Sequence, residues 1–158
     1  SHIFEITQNN PMFISKLATS SLRSPSPFGF FRQFLVENDG EYKDQFDLKT
    51  RGLTPMIDAG RVLALQFQMR GINNTAERFE KLAELDSANE SLFLSCSFAF
   101  KAMLKFRVKH GLMNQNSGRF IELSVMTKEE KMKLKRSFKT LARLQNFIKT
   151  RFNVNPYA

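Results

Sequence analysis

Lys43, Asp44, Asp47, Lys49, Arg51, Asp58 and Arg61 crowd the stretch from Glu41 to Arg61, which leads into the most apolar segment of the chain. Burying such charges is costly unless they are paired and hydrogen-bonded. Two readings of the cluster stay open. In one it is structural, a network tying a loop to the body of the protein, with Asp58 and Arg61 paired at i, i+3 on a helix. In the other it is a polar mouth over a helical cleft. Lys43, Lys49, Arg51 and Arg61 would then offer charge-assisted hydrogen bonds to a phosphate or carboxylate.

Other chemistry is sparse. His2, His110 and Cys96 are the only imidazoles and thiol in 158 residues, too few for a zinc centre of the usual ligands. The chain has no phosphate-binding glycine loop, no dinucleotide-binding turn and no nucleophile elbow. Glu37, Asp39 and Glu41 straddle a turn and read as solvated rather than metal-binding. Cys96, in the run Ser91-Leu-Phe-Leu-Ser-Cys-Ser-Phe-Ala-Phe100, reads as a buried, unreactive core residue. A single cysteine forms no internal disulfide and fits a reducing compartment, so the expected location is the cytoplasm. The expectation is a chain that binds and does not catalyse.

The formal charge of +9 is unevenly spread. Residues 128–151 hold nine Lys and Arg against Glu129 and Glu130, a local +7. Lys128, Lys131, Lys135, Lys139 and Lys149 fall roughly along one stripe that could track phosphates, which makes a nucleic-acid-binding module the alternative reading. With no Trp and only two Tyr there is little to stack on bases, so a solvated basic face is preferred and nucleic acid is not the expected partner. No run approaches the ~20 apolar residues that would span a bilayer, and the start, Ser-His-Ile-Phe-Glu-Ile, does not resemble a secretory signal.

The elements that must position these residues are mostly helices. One domain is expected over residues 1–158, mainly α, a bundle of about five helices with one short β-hairpin or extended loop near residues 31–48. Asn10-Pro11 opens the first helix, which runs to about Leu22. Asp39-Gly40 marks a type I′ hairpin turn between Phe34 and Val36 on one arm and Tyr42, Phe46 and Leu48 on the other. Thr54 caps a central helix with Pro55 in its first turn, stopped by Gly71. Capping boxes at Asn74, Ser87 and Thr127 open three more helices. The second of these closes at His110-Gly111, with the imidazole at the helix end near the negative pole of the dipole. The last buries Leu134, Phe138, Leu141, Gln145, Ile148 and Phe152 and ends at Asn155-Pro156.

Pro27-Phe-Gly-Phe-Phe-Arg32, Gly40-Glu-Tyr-Lys43 and the run from Asp47 to Leu65 resemble the nucleotidyltransferase substrate-binding domain family. The likeness continues through Asn74 to Arg78, Phe106 to His110 and Met126 to Gln145, so it spans about Phe13 to Phe152. The resemblance implies an all-helical accessory domain that follows a nucleotidyltransferase-like domain, in bacterial signal-transduction proteins that also carry CBS and cyclic-nucleotide-binding domains. These upstream domains would be its partners, with an anionic small molecule as ligand. The positions it implies for substrate binding are Lys43, Asp47, Lys49, Arg51, Asp58, Arg61, Arg107 and His110. The transferase half of that architecture resembles a Gly-Ser turn followed by an Asp-x-Asp pair holding Mg²⁺, and this chain has neither. Mg²⁺ and a nucleotide would belong to the other domain, with no cofactor here. Beginning at Ser1 without Met, the chain reads as a C-terminal piece of a longer protein. Excision would leave Ile3-Phe-Glu-Ile6 and Phe28, Phe30 and Phe31 as a patch for homodimer formation.

Overall fold

The computed structural model describes Glu5, residues 10–23, residues 34–155 and Tyr157. The proposed dimer patch at Ile3, Phe4, Ile6, Phe28, Phe30 and Phe31 lies outside the described residues. Among the described residues five α-helices make up the body: α1 (Pro11–Ser21), α2 (Thr54–Gln66), α3 (Thr75–Leu85), α4 (Glu90–Asn114) and α5 (Lys128–Phe152). Two three-residue strands, β1 (Gln45–Asp47) and β2 (Phe120–Glu122), complete it, so the mainly helical architecture with one small sheet is as expected.

Local chemistry sets three of the helix starts. Asn10, Asn74 and Thr127 each accept, through a side-chain oxygen, the backbone N–H three residues on, at 3.2, 3.2 and 3.1 Å. Each bond satisfies one donor that a helix start otherwise leaves unpaired. The other two starts differ from the sequence-based expectation. Ser87 opens a 3₁₀ turn (Ser87–Asn89) without capping by its side chain, and α4 begins at Glu90. Thr54 does not cap α2 either, because a wide π turn (Lys49–Leu53) leads directly into that helix. The helical stretch starts at Leu48, and Asp47 takes the capping position, accepting from Thr50 N–H at 3.0 Å.

The π turn packs tightly against α4 and α5. A Cβ on Gly52 would lie 2.8 Å from Met103 Sδ of α4 and 2.9 Å from Phe138 Cε1 of α5. Above this contact Phe34, Phe46 and Phe138 meet edge-to-face, with centroid separations of 5.2, 5.3 and 6.0 Å. α3 packs along α4 and α4 along α5, while α1 rests on α2 and α5. Phe79, Phe93, Cys96, Leu82, Leu134 and Ile148 fill the space between them and are fully buried. On α5, Leu134, Phe138, Leu141 and Ile148 point inward as expected, with Gln145 and Phe152 only half-buried at the margin.

The reversal around Gly40 is not a type I′ turn. Gly40 has a φ of 77°, but Asp39 lacks the positive φ that this turn needs at both central residues. Glu37 N–H donates to Gln45 C=O and Asp44 N–H to Glu37 C=O, which closes a wider loop. The sheet proper is made with a distant segment, β1 pairing antiparallel with β2 in the register Gln45 to Glu122 and Asp47 to Phe120.

α2 ends at Gln66, five residues before Gly71, where Phe67 caps it and Gln68 turns left-handed at φ 54°. α4 in turn runs a turn past its expected end. Gly111 does not stop it, and Gln115 is its left-handed cap. No helix among the described residues is long and apolar enough to cross a membrane.

Candidate binding site

Asp47 is the best-anchored of the expected site residues. Only 5% exposed, it caps the helical stretch and receives Arg119 Nε at 3.2 Å and Nη2 at 2.9 Å, a two-pronged contact to both carboxylate oxygens. Arg119 Nη2 also donates to Thr50 Oγ1 at 3.2 Å, and Leu48 N–H donates to Arg119 C=O. Burial pushes the Asp47 carboxyl up. The hydrogen bonds from Arg119 and Thr50 outweigh it and leave the group below the ordinary 3.8. A helix start attracts anions, and here the chain supplies its own. Arg119 lies over the Phe120 ring at 4.8 Å, and Tyr42 stacks on that ring with centroids 3.9 Å apart. Lys43 and Lys49 flank this lock, Lys49 on the exposed side of the π turn and Arg51 half-buried beside it.

Arg107 lies close to this end of the molecule. The loop 115–119 folds back over the last turn of α4. Arg107 Nε donates to Ser117 C=O at 3.1 Å, Asn116 N–H to Gly111 C=O at 2.9 Å, and Gly118 N–H to Asn116 Oδ1 at 2.8 Å. Such closeness needs glycine on both sides. A Cβ on Gly118, whose φ is +66°, would lie 1.9 Å from Arg107 C=O, and one on Gly111 would lie 2.8 Å from Asn116 C=O. Between loop and helix runs an open groove lined by Arg107, Val108, Leu112, Gln115, Asn116 and Ser117. Two residues beyond Ser117 the same loop delivers Arg119 to Asp47, so one short segment joins the Asp47 lock to the Arg107 groove.

His110 differs from its expected place at a helix end. It is 1% exposed inside α4, against Phe106, and neither ring nitrogen has a hydrogen-bond partner. Glu130 Oε2, also without a partner, is 3.7 Å from Nε2, while Lys109 holds the other oxygen of Glu130. Burial pushes the imidazole below its ordinary 6.5. Glu130 works against this, and Lys109 adds to it. Lys109 is also the main reason that the Glu130 carboxyl sits below the usual range.

Asp58 and Arg61 pair at 3.6 Å on the exposed side of α2, as their spacing predicts. They are not drawn to the Asp47 lock, since Arg51 and Arg61 are ten residues apart on one helical stretch, about 15 Å of rise. Arg61 instead faces Arg78 of α3, whose guanidinium donates to Ile72 C=O at 2.9 Å. Arg78 is pushed down by burial and by the neighbouring charge of Arg61. Arg119, Thr50, Glu130 and Arg78 did not stand out in the sequence. Each takes its role from a residue far along the chain or on another helix. Thr50, Arg78 and Glu130 carried a signal only as members of the blocks Asp47 to Leu65, Asn74 to Arg78 and Met126 to Gln145, and Arg119 carried none.

A family model described as "Putative nucleotidyltransferase substrate binding domain" matches residues 11–152. No curated protein and no solved structure matches the chain.

Proposed function

The chain belongs to the nucleotidyltransferase substrate-binding domain family, and from that membership we propose that it holds an anionic substrate or a partner on behalf of a nucleotidyltransferase-like domain. Catalysis and its Mg²⁺ and nucleotide would then reside in the neighbouring domain of a larger signalling protein. The match over 11–152 carries this reading, and the geometry supports a place for the ligand. At the end of the molecule where loop 115–119 joins α4 to β2, Arg107 lines the open groove and Lys43, Lys49 and Arg51 lie around the Asp47 lock. Asp47 and Arg119 hold the floor rigid and are already satisfied by each other, so the ligand's charge falls to the surrounding cations. Arg61, beside Arg78, forms a separate cationic spot. His110 lies beneath the groove as part of its support.

Thermal denaturation of the chain with inorganic phosphate, nucleoside triphosphates, amino acids and a short DNA duplex, at low and high salt, tests this directly, because a ligand of the folded state raises Tm by mass action. A rise with one small anion, lost in the Lys49→Ala/Arg107→Ala double variant, is the expected result. A rise with DNA alone that vanishes at high salt would replace this reading with one centred on the basic face of α5. The absence of any rise, in this chain and in the same chain joined to its natural upstream sequence, would overturn it.

A further inference from the structure

The outward face of α4 carries a second, unclaimed feature. Leu94, Phe98, Lys101, Lys105, Val108 and Leu112 follow one another at alternating spacings of four and three residues. That is the heptad spacing of a coiled-coil seam, the pattern by which one helix packs along another. The apolar positions of the seam are exposed. Phe98 and Leu112 are each 77% exposed, Val108 60% and Leu94 47%. The inward face of the same helix is filled by Leu92, Cys96, Phe100 and Met103. A helix apolar on both sides is one built to be surrounded.

The middle of the seam shows what would cover it. Lys101 and Lys105 occupy its two central positions. Glu80 of α3 engages Lys101, and Lys105 has no ion-pair partner among the described residues. A second copy of this chain is a poor fit. An antiparallel two-fold pairing would set Lys105 against Lys101 of the other copy, and a parallel one would set Lys105 against Lys105. Like charges at a desolvated seam are strongly unfavourable, and polar residues at such positions select the partner. We infer that the α4 seam is the docking surface for an amphipathic helix of a partner protein, apolar at both ends of the contact and bearing carboxylates at its middle. The seam covers about 27 Å of helix, from the 18 residues of rise between Leu94 and Leu112. The seam shares Val108 and Leu112 with the wall of the Arg107 groove, but the inference rests on Phe98 and the central lysines and does not need the anionic ligand.

The probe is a synthetic amphipathic helix with leucine at its outer seam positions and glutamate at the two central ones, compared with a twin carrying lysine there. Anisotropy of the labelled peptides is titrated with the chain. The glutamate peptide should bind at least about tenfold more tightly than its twin, a modest figure for a desolvated charge pair. Phe98→Ser/Leu112→Ser should abolish binding of both peptides, and circular dichroism should show the helices intact, since both side chains are exposed. Lys105→Glu should reverse the preference between the peptides, while Lys135→Glu/Lys139→Glu on α5 should leave it unchanged. Equal binding of the two peptides, binding indifferent to Phe98 and Lys105, or no binding at all would overturn the inference. So would sedimentation showing a dimer of the chain that Phe98→Ser dissolves.

Discussion

Two buried ionisable residues make opposite demands on their surroundings. Asp47 is charged and fully engaged, so removing Arg119 strips a buried carboxylate of its main donor. Arg119→Ala should cost about 1–3 kcal/mol in urea denaturation at pH 7. Because the folded Asp47 carboxyl sits below its ordinary value, its stabilisation is present above pH 3.8 and is lost as pH falls further. The gap between wild type and Arg119→Ala should therefore narrow in that acid range. His110 is the reverse case, a buried neutral imidazole with two unsatisfied nitrogens. Its folded value is depressed below 6.5, so the unfolded chain takes up the proton first and stability should fall as pH drops below 6.5. His110→Phe, able to pack on Phe106 without leaving bare nitrogens, should be neutral or stabilising at pH 7 and should flatten that slope. A destabilised variant with the slope intact would show that His110 holds a partner that its present geometry conceals.

The helices divide by how local their determinants are. Asn10, Asn74 and Thr127 were legible as caps because the donor and acceptor lie three residues apart. Thr127→Ala should cost about 1 kcal/mol, readable as a lowered Tm. Ser87 and Thr54 fitted the same local pattern and do not cap. Before α2 the deciding residue is Asp47, whose hold on the turn depends on Arg119, seventy-two positions away. Gly111 reads as a stop, yet it lies inside α4 because loop 115–119 presses against it. The same pressure makes Gly118 irreplaceable. Gly118→Ala combines a positive φ with a backbone clash, and should cost about 1–3 kcal/mol while displacing the loop from Arg107. A ligand-induced rise in Tm that survives this substitution would separate the groove from the ligand.

At the scale of the molecule, the mainly helical class was legible because apolar residues recur at helical spacing in most long segments. The pairing of β1 with β2 was not, since it joins residues on either side of three helices. For the same reason the proposed site was only half visible. Asp58 with Arg61 could be read from spacing alone, whereas the junction of Asp47, Arg107 and Arg119 exists only once the chain has closed. The exposed seam of α4 was missed because its residues look like core in a one-dimensional reading. Gly52→Ala tests the packing as a whole, because its Cβ would press on Met103 and Phe138 at once, and a cost of about 1–3 kcal/mol is expected from denaturant unfolding. The buried Cys96 offers a practical way to rank all these variants. Its sulfur is fully enclosed and its ionisation is pushed up to about 12, so an alkylating reagent can reach a thiolate only when α4 parts from its neighbours. With no other thiol in the sequence to compete, the rate of labelling becomes a clock for the opening of the bundle, running in native buffer and needing no denaturant.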